Sequence, residues 1–175
     1  MRQAPLVRPA AAADIPAITA IYRHHVLHGL ATFEIEPPTA TEMAARHAAV
    51  CELGLPWFVA ESNGAVAGYA YASVYRARPA YCYTVEDSVY VDKDHAGSGI
   101  GSALLPALID GCERAGRRQI IAVIGDSANL ASIRLHEKFG FARVGTLPAV
   151  GYKFERWVDS VLMQRDVGGG GASPP

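Results

Sequence analysis

The chain has 175 residues, of which 50% are hydrophobic and 19% are charged, and its formal net charge is −1. This length and composition predict one globular domain of ordinary size and exclude a disordered chain. A basic excess, an apolar run of membrane-spanning length and a signal-peptide core are all missing from the sequence, so we expect a cytoplasmic protein without nucleic-acid or membrane partners.

Three cysteines, Cys51, Cys82 and Cys112, are odd in number and lack the spacing of metal ligands. Free thiols of this kind are typical of reducing compartments, where disulfides rarely persist. We therefore predict buried free thiols and no metal site.

The chain begins with a predicted strand, Leu6 to Arg8, and a helix that Asp14 can cap. The apolar face of this helix recurs at helical spacing, at Ile15, Ile18, Ile21, Tyr22 and Val26. Three histidines cluster near its C-terminal end, where a solvated helix end is favoured over a metal site: His24, His25 and His28.

A second helix is predicted after the loop that spans Gly29 to Thr39. Thr39 and Glu42 have the spacing of a capping box, and Gly54 ends the helix at about Leu53.

Two strands then flank the dipeptide Asn63-Gly64, which is the strongest short signal for a hairpin. The predicted strands cover residues 57–62 and 66–74. Beyond them, Arg76 and Arg78 would face the same side of an extended segment. Two guanidinium groups there would suit a carboxylate, phosphinate or sulfone oxygen, and a solvated strand end is the other interpretation.

The stretch TVEDSVYVDKDHAGSGIGSALL, residues 84–105, organises the chain. Its first half, Val85 to Val91, is predicted as a strand because β-branched and aromatic residues dominate it. Gly97, Gly99 and Gly101 then precede an apolar helical run. A helix that begins after such glycines offers unpaired N–H groups to a phosphate, although a tight strand-to-helix turn without a ligand also fits.

Two common phosphate-binding motifs do not fit this stretch. A nucleotide P-loop closes on Gly-Lys-Ser/Thr, which is not present, and the glycine spacing differs from the G-x-G-x-x-G/A fingerprint of dinucleotide-binding proteins. We therefore expect a phosphorylated ligand of another kind, held by backbone groups beside the end of the strand.

Residues 101–115 predict a third helix, in which Pro106 should disturb the first turns. Gln119 to Ile124 is a nearly continuous apolar run, which is typical of a strand buried on both faces. Strand, helix and strand together form a right-handed βαβ unit.

The C-terminal part predicts a last helix, a strand that opens at Gly140-Phe141, a loop and a closing strand. Asn129 can cap the helix, which ends at Gly140. Residues 145–153 are predicted as a loop and residues 157–164 as the strand that closes the sheet. The tail GGGGASPP, within residues 167–175, is predicted to be flexible.

Several of these segments resemble the GCN5-related N-acetyltransferases (GNAT superfamily). Their glycine loop matches Ala96-Gly97-Ser98-Gly99-Ile100-Gly101, and a later helix matches NLASIRLHEKFGF, from Asn129 to Phe141. The segments VEDSVYV, AVIG, RLHEKFGF, GTLPAVGYKFERWVD and QRD resemble the phosphinothricin and methionine sulfone/sulfoximine acetyltransferase branch. The similarity runs from about Val7 to Asp166.

The resemblance implies an α/β fold for residues 1–166, with a mixed central sheet of about seven strands and four main helices. Two central parallel strands splay apart in this family, and the pantetheine arm of acetyl-CoA enters the gap. No metal is implied. The implied contacts to acetyl-CoA are Val89, Tyr90, Val91, Ala96, Gly97, Ser98, Gly99, Ile100, Gly101, Ser102, Asn129 and Ser132.

One position departs from the family pattern, because Ala96 stands where the family has Gln or Arg. The missing side chain should weaken coenzyme binding modestly, since the backbone donors remain. His95 or Lys93 would be the electrostatic replacement.

For the chemistry, the resemblance implies direct transfer of an acetyl group to the α-amine of phosphinothricin, methionine sulfoximine or methionine sulfone. Glu86 lies where the family has its candidate base, and burial would raise its pKa and make it a better base. His136 could serve as proton acceptor or relay with Glu86. Structural roles for both residues are the alternative. Tyr90 and Tyr152 are candidate donors to the leaving thiolate.

The implied acceptor-binding residues are Phe33, Arg76, Arg78 and Glu86. Phe33 could instead anchor its loop to the core. Two other functions stay open: transfer to another amine, such as a polyamine, an aminoglycoside or a protein N-terminus, and a non-catalytic acyl-CoA sensor. Arg76 and Arg78 disfavour a cationic acceptor, and a homodimer is expected because relatives of this branch tend to form one.

Overall fold

A computed structural model describes residues 4–175 of the chain. Seven strands form one mixed sheet in the order β1-β2-β3-β4-β5-β7-β6. The strands are β1 (Leu6–Pro9), β2 (Trp57–Ser62), β3 (Ala65–Val74), β4 (Thr84–Val91), β5 (Gln119–Gly125), β6 (Ala142–Lys153) and β7 (Arg156–Asp166). The helices are α1 (Ile15–His28), α2 (Ala40–Glu52), α3 (Ile100–Arg114) and α4 (Leu130–Lys138). The predicted fold class is confirmed.

Helices pack on both faces of the sheet. Successive side chains of β4 point to opposite faces, and they contact a different helix on each face. Tyr90 packs edge-on against Tyr22 of α1, with ring centroids 5.0 Å apart. The Asp87 side chain points to the opposite face, where it hydrogen-bonds to His136 of α4. On that face α3 lies so close to β3 that a Cβ at Gly68 would be 2.6 Å from Ile100 Cγ2.

Local signals account for some helix ends and not for others. Thr39 and Glu42 form the predicted capping box: the Thr39 side chain accepts from the Glu42 N–H, and Glu42 accepts from the Thr39 N–H. Asp14 precedes α1, but its side chain does not cap that helix. Its carboxylate instead accepts hydrogen bonds from Arg8, at 2.7 and 2.8 Å, and from the Ala11 N–H.

Two predictions about the second half of the chain need correction. Pro106 does not interrupt α3, which is continuous from Ile100 to Arg114. Residues 145–153 are not a loop, because they belong to β6, which pairs with β7 at the edge of the sheet. Its register shifts between Leu147 and Gly151, where Ala149 has a positive φ of 53°. Glycine and proline are tolerated in such a bulged edge strand, which explains the error.

The parallel strands β4 and β5 separate before they end. Their ladder stops at the pair Asp87 and Ala122, although β4 continues to Val91 and β5 continues to Gly125. This fork confirms the predicted splay. Because unpaired backbone groups lie on both sides of it, the fork can receive a ligand that hydrogen-bonds to main chain.

The three free thiols differ in their exposure. Cys112 is buried, but Cys51 and Cys82 are exposed, so the prediction of buried thiols is wrong for two of the three. Arg118 donates hydrogen bonds to Ser173 and to the Pro174 carbonyl in the tail.

Among residues 4–175, no helix is both long and apolar enough to traverse a bilayer.

Candidate active site

The fork opens into a cleft of about 550 Å³. Its walls are the ends of β4 and β5, the glycine loop that leads into α3, and one face of α4. Within residues 4–175, no group of three or more His, Cys, Asp or Glu side chains is arranged to hold a metal ion. Of the twelve residues predicted to contact acetyl-CoA, eleven line this cleft. The exception is Ser98, whose hydroxyl donates to the His95 carbonyl.

The glycine loop owes its shape to left-handed backbone conformations. Gly97 and Gly99 have φ values of 72° and 88°, which side-chain-bearing residues rarely adopt. Gly99 immediately precedes α3, so the first free N–H groups of that helix face the cleft with the positive end of its dipole. Gly101 also lines the cleft and lets α4 pack closely, because a Cβ there would be 3.0 Å from Leu135. The loop can therefore bind a diphosphate through backbone donors.

Basic side chains border the same loop, and the sequence interpretation missed two of them. Arg134 and Lys138 lie four residues apart on α4 and line the cleft, as does His95. The Lys138 ammonium is 3.4 Å from the Ser102 hydroxyl. Lys93, the other expected replacement for the residue missing at Ala96, does not line the cleft and pairs with Asp94 at 2.6 Å. The helical spacing of Arg134 and Lys138 was the available signal.

Asn129 caps α4 as predicted: its side-chain oxygen accepts from the Ser132 N–H at 3.2 Å. Both residues line the cleft, so a contact to a bound coenzyme is compatible with the cap.

His136 is buried on α4, and its hydrogen bonds within residues 4–175 go to Asp87 and Ser132 and not to Glu86, so a relay with Glu86 has no direct hydrogen bond to support it. Its Nε2 is 2.9 Å from Asp87 Oδ2, and its Nδ1 is 2.7 Å from the Ser132 carbonyl oxygen. Asp87 and Glu86 are neighbours on β4 and point to opposite faces of the sheet. Asp87 was missed because nothing in the sequence marks a partner 49 residues away.

Glu86 is half-buried on the face of β4 that also carries Ser88 and Tyr90. Burial raises the pKa of the Glu86 carboxyl above its ordinary value, and the adjacent negative charge of Asp87 raises it further. The cross-strand neighbour of Glu86 is Ser73 on β3. A carboxylate with a raised pKa at the root of the fork is suited to accept a proton.

His25 lines the cleft, so the prediction that it belongs to a solvated helix end is wrong. Its Nε2 donates a hydrogen bond of 2.8 Å to the Val91 carbonyl, and its ring packs against Tyr90. Burial lowers the pKa of His25, which keeps the ring neutral. The residue thereby holds the last carbonyl of β4 at the cleft wall.

Phe33 lies over two glycines where β5 ends and β6 is bulged. A Cβ at Gly151 would be 2.4 Å from Phe33 Cε2, and one at Gly125 would be 3.3 Å from Phe33 Cε1. The neighbouring Thr32 carbonyl accepts a hydrogen bond of 2.7 Å from buried Lys153, and the Thr32 hydroxyl bonds to Tyr22. The loop is therefore fixed, and Phe33 remains 39% exposed beside the fork.

Arg76 and Arg78 are exposed and do not line the cleft. β3 ends at Val74, so the two residues lie in a bend and not on the predicted extended segment. Arg76 stacks over the rings of Tyr75 and Tyr81, at 5.2 and 5.9 Å from their centroids.

Of the two candidate tyrosines, only Tyr90 lines the cleft. Burial raises the pKa of its hydroxyl well above the ordinary value, so the group stays protonated. Tyr152 is 57% exposed and packs on Trp157, away from the lining residues.

A parallel fork with a left-handed glycine loop and a helix N-terminus defines a coenzyme-binding transferase site of α/β type. The family model described as acetyltransferase (GNAT) family matches residues 20–141. The chain belongs to this family, and it is therefore an N-acetyltransferase that uses acetyl-CoA as co-substrate. The motifs of the sequence had predicted this class.

Individual relatives are similar over most of their length. A phosphinothricin N-acetyltransferase of Alcaligenes faecalis is 54% identical over 162 residues, which cover 93% of this chain and 82% of that protein. An L-methionine sulfoximine/L-methionine sulfone acetyltransferase of Salmonella typhimurium is 44% identical, with 90% and 92% covered. The crystal structure of a Sinorhizobium meliloti phosphinothricin acetyltransferase in complex with AcCoA has a TM-score of 0.95 and 46% identity, with 99% of this chain and 94% of that chain covered.

Proposed function

We propose that this enzyme acetylates the α-amine of a small amino-acid-like acceptor of the phosphinothricin, methionine sulfoximine or methionine sulfone class. The observation that carries the proposal is the position of Glu86 at the root of the fork, directly before Asp87 and Ser88, which line the cleft. The names of relatives at 54% and 44% identity support the acceptor class.

The cleft residues would hold acetyl-CoA in two parts. The N–H groups at the start of α3 and in the loop that contains Gly97 and Gly99 would bind the diphosphate. His95, Arg134 and Lys138 would add positive charge that offsets the small side chain of Ala96. The edge of β4 from Val89 to Val91 that β5 no longer pairs would bind the pantetheine arm and polarise the thioester oxygen.

Glu86 would prepare the acceptor by taking a proton from its ammonium group, directly or through one water. The freed amine lone pair then forms the new C–N bond with the thioester carbonyl carbon, and the C–S bond breaks. Tyr90 is the donor that can return a proton to the departing thiolate, since its hydroxyl stays protonated, and the second proton lost by the attacking nitrogen would restore that hydroxyl. No enzyme nucleophile is required, and burial raises the pKa of the Cys112 thiol to about 12, which disfavours its thiolate.

The acceptor would lie between β4 and the loop that carries Phe33. Phe33 would pack against its side chain, because the ring is partly exposed and fixed over Gly125 and Gly151. Arg76 and Arg78 are proposed to attract the acceptor's anionic end from the rim, since both are exposed at the end of β3.

A cytoplasmic homodimer is proposed as the form that functions. The hairpin of β6 and β7 presents large exposed apolar side chains that a second copy could cover: Val144, Leu147, Val150, Phe154 and Trp157. The exposed thiols of Cys51 and Cys82 fit a reducing compartment.

The test is a turnover screen that follows release of coenzyme A thiol from acetyl-CoA with a panel of acceptors. Phosphinothricin, methionine sulfoximine and methionine sulfone should show the highest kcat/KM, and spermidine and an aminoglycoside should show little. Preference for a polyamine or aminoglycoside would refute the acceptor class, and no turnover with any amine would favour a non-catalytic sensor.

A further inference from the structure

The buried pair of Asp87 and His136 lies where the two parallel strands separate. Asp87 belongs to the last paired position of β4, opposite Ala122, and His136 belongs to the helix that follows β5. Their side chains are only 1% and 4% exposed, and Nε2 lies 2.9 Å from Oδ2. The contact therefore spans the root of the cleft and joins α4 to β4.

Both ring nitrogens of His136 face hydrogen-bond acceptors. Nδ1 has two neighbours on Ser132, the carbonyl oxygen at 2.7 Å and the hydroxyl at 3.4 Å; because the nearer one can only accept, we assign a hydrogen to Nδ1. Nε2 faces the Asp87 carboxyl group, where two opposed lone pairs would repel each other, so a proton must lie between them. Whichever of these two atoms holds that proton, neither ring nitrogen has a lone pair free to accept another.

The charge balance of the site favours a doubly protonated His136 ring beside an ionised Asp87 carboxylate. Asp87 Oδ1 has no hydrogen-bond partner within residues 4–175, so the buried carboxylate depends on His136 for compensation. Burial opposes a charged ring, but the hydrogen bond and charge of Asp87 outweigh it, and the pKa of His136 is raised. Other titratable neighbours of the carboxylate are Glu86 on β4 and Cys112 on α3, and Asp87 raises the pKa of both.

We propose that Asp87 is a positioning residue that holds His136 doubly protonated across the fork, so that His136 fastens α4 to β4 and does not take the acceptor's proton. The fastening follows from the contacts alone. The statement about the acceptor's proton rests on the proposed function, and it leaves Glu86 to accept that proton.

Nitrogen-15 NMR of the imidazole rings tests the protonation state directly, without any substrate. The six histidines are distinguished by comparison with the spectrum of His136→Gln. At pH 7 both nitrogens of His136 should be protonated, and Asp87→Asn should return one of them to the unprotonated state. Asp110→Asn, a change of the same kind at an exposed position of α3, should leave His136 unchanged.

A wild-type ring with one unprotonated nitrogen at pH 7 would overturn the proposal, whether or not Asp87→Asn folds. The wild-type measurement also stands if no acetyl transfer is found, so failure of this proposal and failure of the proposed function are distinguishable.

The pH dependence of turnover tests the second half of the proposal. His136→Gln can still donate to Asp87 through its amide, and it should keep the fall in kcat on the acid side with a rate loss of about ten-fold or less. Glu86→Gln should abolish that acid limb. Loss of the limb in His136→Gln with its retention in Glu86→Gln would show that His136 is the base and would refute the proposal.

Discussion

Replacement of Gly151 by alanine should separate acceptor binding from the rest of the enzyme. The added Cβ would be 2.4 Å from Phe33 Cε2 and 2.7 Å from its Cδ2 and Cζ. Ordinary contact begins at about 3.4 Å, so the ring must retreat by about 1 Å. The backbone of Gly151 does not have a positive φ, so alanine itself introduces no conformational strain.

Because Phe33 is 39% exposed, the ring can move into solvent, and the stability cost should be near the lower end for overpacking, about 1 kcal/mol. A displacement of about 1 Å at a substrate-positioning side chain can reduce rates by up to about 100-fold. We therefore expect kcat/KM for phosphinothricin to fall about 10- to 100-fold, with an unchanged Kd for acetyl-CoA.

Gly145→Ala is the matched control, because Gly145 also belongs to β6 and nothing lies within 4 Å of its added Cβ. Steady-state kinetics, calorimetric titration with acetyl-CoA and thermal unfolding should be measured for both variants. The same pair should then be measured in a Phe33→Ala background, where Gly151→Ala should cost nothing further. Equal behaviour of the two glycine variants, or an undiminished loss without Phe33, would show that Phe33 does not position the acceptor.

Three further predictions follow from individual contacts. Glu86→Gln should lower kcat by at least about 100-fold without changing the acetyl-CoA Kd, and an unchanged rate across neutral pH would remove Glu86 from the mechanism. Lys138→Ala should raise the acetyl-CoA Kd several-fold and weaken the salt dependence of that Kd, because Lys138 lines the cleft. Lys93→Ala should change neither quantity, because Lys93 lies outside the cleft and pairs with Asp94. Calorimetry at two salt concentrations measures both. Asp14→Asn should lower the free energy of unfolding by about 1–3 kcal/mol at pH 7, because the Asp14 carboxylate accepts from Arg8. The Arg8 hydrogen bond lowers the pKa of Asp14, so the difference in unfolding free energy should be full above the ordinary pKa of 3.8 and should vanish as the pH falls through the lowered pKa. Equal unfolding free energies of the wild type and Asp14→Asn in urea at pH 7 would contradict this prediction.

Local signals allowed much of the fold to be predicted from the sequence. The capping box of Thr39 and Glu42 and the hairpin dipeptide Asn63-Gly64 act over a few residues, and the structure has both. The part of edge strand β6 from Gly145 onward was predicted as a loop because Gly145 and Gly151 are typical of turns. Only pairing with β7 shows that a bulged strand accommodates them.

The candidate site was predictable where its residues are consecutive and not where they are brought together by the fold. The glycine loop occupies adjacent positions, so its phosphate-binding chemistry follows from the sequence. The contact between Asp87 and His136 joins residues 49 positions apart, and the one between Lys153 and Thr32 spans 121. Periodicity along one element contains no information about such partners.

Arg78 shows a second limit. Its predicted orientation depended on an extended backbone, and the strand ends four residues earlier, at Val74. Strand ends are set by pairing with β4, which the residues around Arg78 do not encode by themselves.

Calorimetric titration of the wild-type chain with acetyl-CoA is the decisive experiment, because every proposed step requires the coenzyme to bind at the fork. We expect a saturable heat with about one site per chain and a rise in the midpoint of thermal unfolding at saturation. Absence of both heat and thermal protection would contradict binding at the fork.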